Sequence, residues 1–240
     1  MATTTKTGDA IAFEDFRTFL AACQELGGDE VTLIEGADWN EEIGALTEAC
    51  ADLIGQPPAL IFDNIKDYPA GHRVVSLPTA SWKRAALALG LDASLPKLEL
   101  VRLATEKVKK ATRNPIEPST VPSGPVMENT FTGEDVDLWQ LPVPRYHAAD
   151  GGRYLGTGCV LIAKDPDSDF VNMGTYRMQV HAGNKLGIWM SPGQQGRQIC
   201  QRYWDRGLAA PVVVAISMDP LTFMASHTKI PWGKNELELA

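Results

Sequence analysis

The residue types that chemistry needs are concentrated in the second half of the chain. Asp150-Gly-Gly-Arg-Tyr-Leu-Gly-Thr-Gly158 puts four glycines in nine positions, which lets backbone approach a ligand closely. The same run also reads as a plain hairpin connection. Gly156-Thr-Gly158 lacks the third glycine of a dinucleotide fingerprint, and no strand-to-helix turn is predicted around it, which argues against a Rossmann site. Arg177 carries a permanent charge on a planar fork, suited to a carboxylate or to negative charge developing near a cofactor. Taken alone, it reads better as a surface or salt-bridging arginine. His72, His147, His181 and His227 form no HExxH or HxxxH pair, so none is a metal ligand by spacing. Cys23, Cys50, Cys159 and Cys200 contain no CxxC and read as reduced, mostly packed thiols. No Ser/His/Asp triad can be read from sequence, because a triad is defined by geometry.

Those residues need elements to hold them. Phe13, Phe16, Phe19, Leu20, Cys23 and Leu26 fall near helical spacing, with Gly27-Gly28 as a stop, and predict an amphipathic first helix. Val31–Ile34 and Ala59–Phe62 read as strands around a helix from Glu41 to Leu53, and further helices are predicted at Ser81–Leu89 and Leu98–Lys110. This alternation implies an α/β unit with a mixed or parallel sheet. Four prolines between Arg113 and Pro125 place a linker there, dividing the chain into an α/β domain (1–112), a Pro-rich linker (113–125) and a second domain (126–240). The second domain is β-rich, with strands predicted at Thr157–Ala163, Val171–Val180, Lys185–Met190 and Pro211–Ser217 and a helix at Gly196–Arg206.

A net charge of −8 and a pI near 5.0 argue against duplex nucleic-acid binding, which needs a basic surface. Met1–Ala10 is polar, unlike a secretory signal, and no stretch of about 18 apolar residues occurs, so the expectation is a cytoplasmic chain with no membrane partner.

Several motifs together resemble the UbiD family of prenylated-FMN (prFMN) decarboxylases, specifically its amino-terminal half. They are Leu141-Pro-Val-Pro144, Asp150 to Tyr154, Gly156-Thr-Gly158, Asn172 to Arg177 and Ser191-Pro-Gly-Gln-Gln-Gly-Arg-Gln198, in the family's order and approximate spacing. Upstream, Ile61 to Lys66, Pro69 to Val74 and Arg84 to Leu91 resemble the family's amino-terminal domain. The resemblance runs from about Phe13 to Ala240 and implies an α/β domain followed by part of a split-β-barrel-like flavin-binding domain.

The resemblance also implies the chemistry. Removing a carboxylate from an sp² carbon leaves a carbanion, and prFMN supplies the electron sink that side chains lack. The substrate class would be an aromatic or α,β-unsaturated carboxylic acid, and a prenylated-flavin synthase would supply the cofactor. Asn172 matches a metal ligand through its amide oxygen, and Arg177 matches the catalytic arginine. In one regular strand these two would face opposite sides, so an irregularity must lie between them if both reach the cofactor.

Met173, Gly174, Thr175 and Tyr176 fall on the same cofactor strand, and Gln194 matches a flavin contact. Gln195 stands where the family commonly has a histidine ligand. An amide oxygen is a poorer transition-metal donor than imidazole, and Gln195 reads equally as part of a polar turn before a helix. Glu236 matches the third ligand of a Mn²⁺ (or Mg²⁺/Fe²⁺) ion on the flavin phosphate, although an acidic tail explains Glu236 and Glu238 equally well. Ala225, Ser226, His227 and Thr228 match positions beside the phosphate and a K⁺ ion, acting through backbone carbonyls and hydroxyls.

Family members are about twice as long, place their general-acid glutamates beyond this chain's last residue and form homo-oligomers through a carboxy-terminal domain. A general acid is worth roughly 10²- to 10⁴-fold in rate. The chain is therefore expected to be a truncated piece with little activity alone. Trp232, Leu237 and Leu239 would be odd as free tail residues. Two other readings remain open: a non-catalytic flavin-binding or assembly subunit, and an FMN oxidoreductase turning over hydride with a nicotinamide.

Overall fold

A computed structural model describes residues 13–156 and 158–240; the polar Met1–Ala10 stretch and the predicted strand start at Thr157 lie outside the described residues. Helix α1 (Phe16–Gln24) begins where Asp15 and Thr18 close a reciprocal capping box: the Asp15 carboxylate accepts from Thr18 N at 2.7 Å and the Thr18 hydroxyl accepts from Asp15 N at 2.9 Å. Its buried face, Phe19, Ala22 and Cys23, packs on Leu87 and Ala88 of α3 (Trp82–Ala88).

Strands β1 (Val31–Glu35), β2 (Ala59–Asp63) and β3 (Val74–Ser76) form a three-stranded sheet in that order, β1 parallel and β3 antiparallel to β2. The central strand buries Ala59, Leu60 and Phe62, and α2 (Glu42–Leu53) covers it with Ile43 and Leu46. Asp63 at the end of β2 accepts from Gly71 N (2.8 Å), Arg73 Nε (2.5 Å) and Asn64 N (2.8 Å), which together lower its pKa to about 2 and tie down the turn into β3.

Arg84 is the largest fully buried side chain. It pairs with Glu30 at 2.5 Å and donates to the carbonyls of Glu30, Pro57, Leu77 and Pro78, so one guanidinium joins α3 to the loops flanking the sheet. Helix α4 (Lys97–Arg113) buries only Leu100 and leaves Leu98 and Val101 exposed. From Asn114 to Arg153 the chain forms single 3-10 turns and no α-helix or named strand.

Strands return with β4 (Tyr154–Gly156), β5 (Cys159–Lys164), β6 (Val171–Gly174), β7 (Arg177–Ala182), β8 (Lys185–Trp189) and β9 (Val212–Ile216). They make two antiparallel three-stranded sheets, β6-β5-β9 and β4-β7-β8. Helix α5 (Gln195–Trp204) packs on β5 and β6, burying Ile199 against Cys159, Leu161, Tyr176 and Met178. A short α6 (Pro220–Ala225) starts at Asp219, whose carboxylate caps Thr222 N.

The single strand predicted over Val171–Val180 is two strands in two different sheets, with the chain crossing between them at Thr175 and Tyr176. The run of apolar and polar residues continues across the break, so periodicity alone shows no boundary. Strands β3 and β4 and helix α6 were not predicted from sequence. Each is three to six residues long, too short to show a repeat. The tail residues are packed: Trp232 lies on Phe170 with ring centroids 4.9 Å apart, and Leu237 and Leu239 cover Val160, Met173 and Ala225.

The two parts are stitched by backbone bonds from Arg145 N to Trp39 O (3.0 Å) and from Glu41 N to Arg145 O (2.8 Å). The Arg153 guanidinium lies 4.1 Å from the Trp39 ring and 5.3 Å from that of Trp139. Among the described residues no helix is long and apolar enough to cross a membrane.

Replacing Arg84 by Met keeps the volume but leaves the Glu30 carboxylate and the surrounding carbonyls without their donor. The expected loss is about 3–5 kcal/mol in urea-unfolding free energy, and a loss below about 1 kcal/mol would show that water replaces the guanidinium.

Candidate functional site

Three side chains far apart in sequence meet beside the α5 amino terminus. Asn172 comes from β6, Gln195 opens α5, and Glu236 opens a 3-10 turn near the end of the chain. Asn172 Nδ2 donates to Glu236 Oε1 at 2.9 Å and to Gln195 Oε1 at 3.3 Å, while Met173 N donates to Glu236 Oε2 at 2.9 Å. Gln195 Nε2 donates to Ile230 O at 2.9 Å, which turns its oxygen toward Asn172. Tyr176 completes the group: its hydroxyl donates to Asn172 Oδ1 at 3.4 Å and accepts from Gly196 N at 3.2 Å.

Glu236 is only 4% exposed, and no cation is among the groups that set its pKa. Burial pushes its pKa above the ordinary glutamate value of 4.5, and the bonds from Met173 N and Asn172 only partly offset that. A buried carboxylate held by amides, with two further amide oxygens close by, is a donor set for a hard divalent cation. Among the described residues no three His, Cys, Asp or Glu side chains gather, so such a site rests on Asn172 and Gln195 as well as on Glu236. The residues present therefore fit an oxygen-ligated ion.

Glycine makes this convergence possible. A Cβ on Gly196 would lie 2.5 Å from the Tyr176 hydroxyl, and one on Gly174 would lie 2.9 Å from its ring.

Arg177 sits at the start of β7, on the far side of the Thr175–Tyr176 crossing from Asn172. This crossing is an irregularity of the kind expected if both side chains are to reach one cofactor. The Arg177 side chain is exposed and makes no hydrogen bond or ion pair among the described residues, unlike a salt-bridging arginine. It lines a cavity of about 690 Å³ between β3 and the second part of the chain. Gly156 and Gly158 of the glycine run, Asp150, Tyr154 and Arg73 line the same cavity. Asn172, Gln195 and Glu236 do not.

Gln194 is the N-cap residue of α5 and exposed; its Oε1 accepts from Ser191 N at 2.7 Å. Ala225, Ser226, His227 and Thr228 form the last turn of α6 and the residues after it. There the Ser226 hydroxyl donates to Phe223 O (2.6 Å), the Thr228 hydroxyl to Met224 O (3.3 Å), and His227 Nδ1 lies 2.8 Å from Phe223 O. Ala225 packs with Met173, and α6 contacts the 3-10 turn that Glu236 opens. Met173, Gly174 and Thr175 frame the cluster through backbone, and Met173 alone among them bonds to Glu236.

Sequence reasoning assigned no site role to Arg73, Tyr154 or Asp150, although all three fall in family-like motifs, Pro69 to Val74 and Asp150 to Tyr154; Arg73 and Tyr154 lie on or beside β3 and β4, the two strands not foreseen.

With this geometry in view, known proteins identify the class. The N-terminal domain of 3-octaprenyl-4-hydroxybenzoate carboxy-lyase matches residues 25–104, and the Rift-related domain of that enzyme matches residues 119–240. The chain belongs to the UbiD family. It is 32% identical over 234 residues to a phenolic acid decarboxylase of Bacillus subtilis, covering 96% of this chain and 48% of that protein. It is 33% identical over 226 residues to a pyrrole-2-carboxylic acid decarboxylase of Pseudomonas aeruginosa, covering 92% and 45%.

Its fold is similar to that of the vanillic acid decarboxylase of Sedimentibacter hydroxybenzoicus in closed form, with a TM-score of 0.85 and 26% identity over 96% of this chain and 48% of the other. An evolved dimeric form of the UbiD-class enzyme HmfF from Pelotomaculum thermopropionicum, in complex with prFMN, gives 0.80 and 27% over 94% and 49%. The chain thus spans about half the length of the curated relatives it matches, and shares the mixed α/β make-up of its solved UbiD-class neighbours.

The raised pKa of Glu236 sets a sign. The folded chain holds this proton more tightly than the unfolded one, so the stability it contributes is present below about pH 4.5 and is lost as pH rises through the folded pKa. In EDTA, urea midpoints of the wild-type chain should fall more steeply above pH 4.5 than those of Glu236→Gln. Parallel profiles would show that Glu236 has an ordinary pKa.

Proposed function

We propose that this chain forms the prFMN-binding part of a UbiD carboxy-lyase that reversibly and non-oxidatively decarboxylates an aromatic or α,β-unsaturated carboxylic acid. The observation that carries this reading is the cluster of buried Asn172 and Glu236 with half-buried Gln195, one strand crossing away from an arginine that has no ion pair among the described residues and lies on a cavity wall. Asn172, Gln195 and Glu236 would hold a Mn²⁺, Mg²⁺ or Fe²⁺ ion that anchors the flavin phosphate, with K⁺ near Ala225–Thr228. When bound, prFMN supplies the electron sink for loss of CO₂.

The chain's own residues position the substrate. Arg177 faces the cavity with its guanidinium free to grip a carboxylate in a bidentate manner. Gly156 and Gly158 line the same space, and Gly158 presents open backbone there. The reading includes a split-barrel flavin domain, a domain boundary within 113–125, a homo-oligomeric full-length enzyme and a prenylated-flavin synthase as cofactor source. Four free thiols support a reducing, cytoplasmic setting.

A second reading, a non-catalytic flavin-binding subunit, is favoured by Gln195, whose oxygen is a weaker ligand than imidazole for transition metals. The two separate in one experiment. The protein is co-expressed with a prenylated-flavin synthase, alone and joined to a UbiD carboxy-terminal half, and cofactor mass, metal content and CO₂ release from a panel of aromatic acids are measured. The carboxy-lyase reading expects prFMN and a divalent metal in the joined form, with Arg177→Lys lowering CO₂ release about 10²-fold at unchanged flavin content. Glu236→Ala should remove the divalent metal. Flavin retention with no CO₂ release from any acid would favour the non-catalytic subunit, and absence of prFMN from both forms would overturn the cofactor assignment.

A further inference from the structure

Tyr176 is the residue of the strand crossing whose work is least explained by packing. Its ring is buried in the core with Leu161, Met178 and Ile199, and its hydroxyl emerges between two elements. On one side it meets Asn172 Oδ1 of β6 at 3.4 Å, and on the other it accepts from Gly196 N in the first turn of α5 at 3.2 Å. Gly174 and Gly196 both lack the Cβ that would collide with this side chain, at 2.9 and 2.5 Å, so the backbone on both sides is shaped around a tyrosine. Phenylalanine would fill the same space without the hydroxyl.

We propose that Tyr176 is a positioning residue for the cation site: its hydroxyl partners the end of the Asn172 amide that faces away from Glu236, so the amide can turn its oxygen to a cation with its NH₂ still hydrogen-bonded, and it ties Asn172 to the helix turn that carries Gln195. This rests on the metal reading of the cluster given above. An amide has two unlike ends, an oxygen that can bind a cation and an NH₂ that cannot, and the two differ only by rotation about one bond. A hydroxyl both donates and accepts, so Tyr176 can hold either end of the amide while the other faces Glu236. Without that partner, Asn172 must be oriented by Glu236 and Gln195 alone, and in the cation-free protein they engage its NH₂ end. Partners that orient a metal ligand typically change metal affinity by about 10- to 100-fold.

The test is a double-mutant cycle read by Mn²⁺ binding to the flavin-free protein, using the electron paramagnetic resonance of free Mn²⁺. Tyr176→Phe should weaken Mn²⁺ about tenfold while leaving the circular dichroism spectrum unchanged. In an Asn172→Asp background, where both ligand oxygens are equivalent and need no orienting, the same Tyr176→Phe change should shift affinity by less than about twofold. A tenfold loss in both backgrounds would make Tyr176 a general support of the fold and overturn the proposal, as would no loss in either.

A second measurement needs no carboxylate variant. Side-chain NH₂ exchange of Asn172 with water, followed by nitrogen-resolved NMR in EDTA, should accelerate at least about tenfold in Tyr176→Phe, and an unchanged rate overturns the proposal. Wild-type protein that takes up no Mn²⁺ would sink the metal reading itself, whereas wild-type binding with an unaffected Tyr176→Phe variant would sink only the role of Tyr176.

Discussion

A carboxylate buried with no cationic partner among the described residues organises the second half of this molecule. Glu236 is 4% exposed, next in the chain to Leu237, which packs on Val160, Met173 and Ala225, so its oxygens depend on protein donors. It can stay there only because β6 presents a backbone N–H at Met173 and a side-chain NH₂ at Asn172. That demand fixes the end of the chain against β6, places Gln195 at the head of α5 opposite, and makes glycine necessary at 174 and 196 so that Tyr176 can reach between them. Such an arrangement is costly as pure architecture. It becomes economical in physical terms when a cation shares the site, because the ion then relieves the same desolvation that raises the Glu236 pKa.

The strand crossing at Thr175–Tyr176 converts one sequence run into two faces of a functional region. Asn172 remains with the buried oxygen cluster, and Arg177 emerges on the wall of a cavity bounded by the amino-terminal sheet. The amino-terminal domain contributes more than mass here, since β3 and the Arg73 to Thr79 segment form one side of that cavity. Its own rigidity comes from Arg84, which satisfies carbonyls from the loops around the sheet, and from Asp63, which pins the turn leading into β3. Arg145 and Arg153 then hold the two parts in register through backbone pairing and stacked aromatic rings. The cavity wall is thus traceable to a few arginines that join loops rather than to a continuous core.

Elements with strong local signals were legible in the amino-acid order. The first helix, the β1–α2–β2 unit, α3, α4, α5 and strands β5, β8 and β9 all lie within a few residues of their predicted places, because each buries a repeating apolar face that a single window displays. The family motifs also marked Asn172, Arg177, Gln195 and Glu236 as chemically meaningful. Tertiary structure alone decided how they meet. Nothing local could show that Val171–Val180 changes sheets midway, that Glu236 returns to bond β6, or that β3 and β4 form at all. These outcomes depend on long-range pairing and on the desolvation of one carboxylate, and both energies exist only once distant segments are brought together.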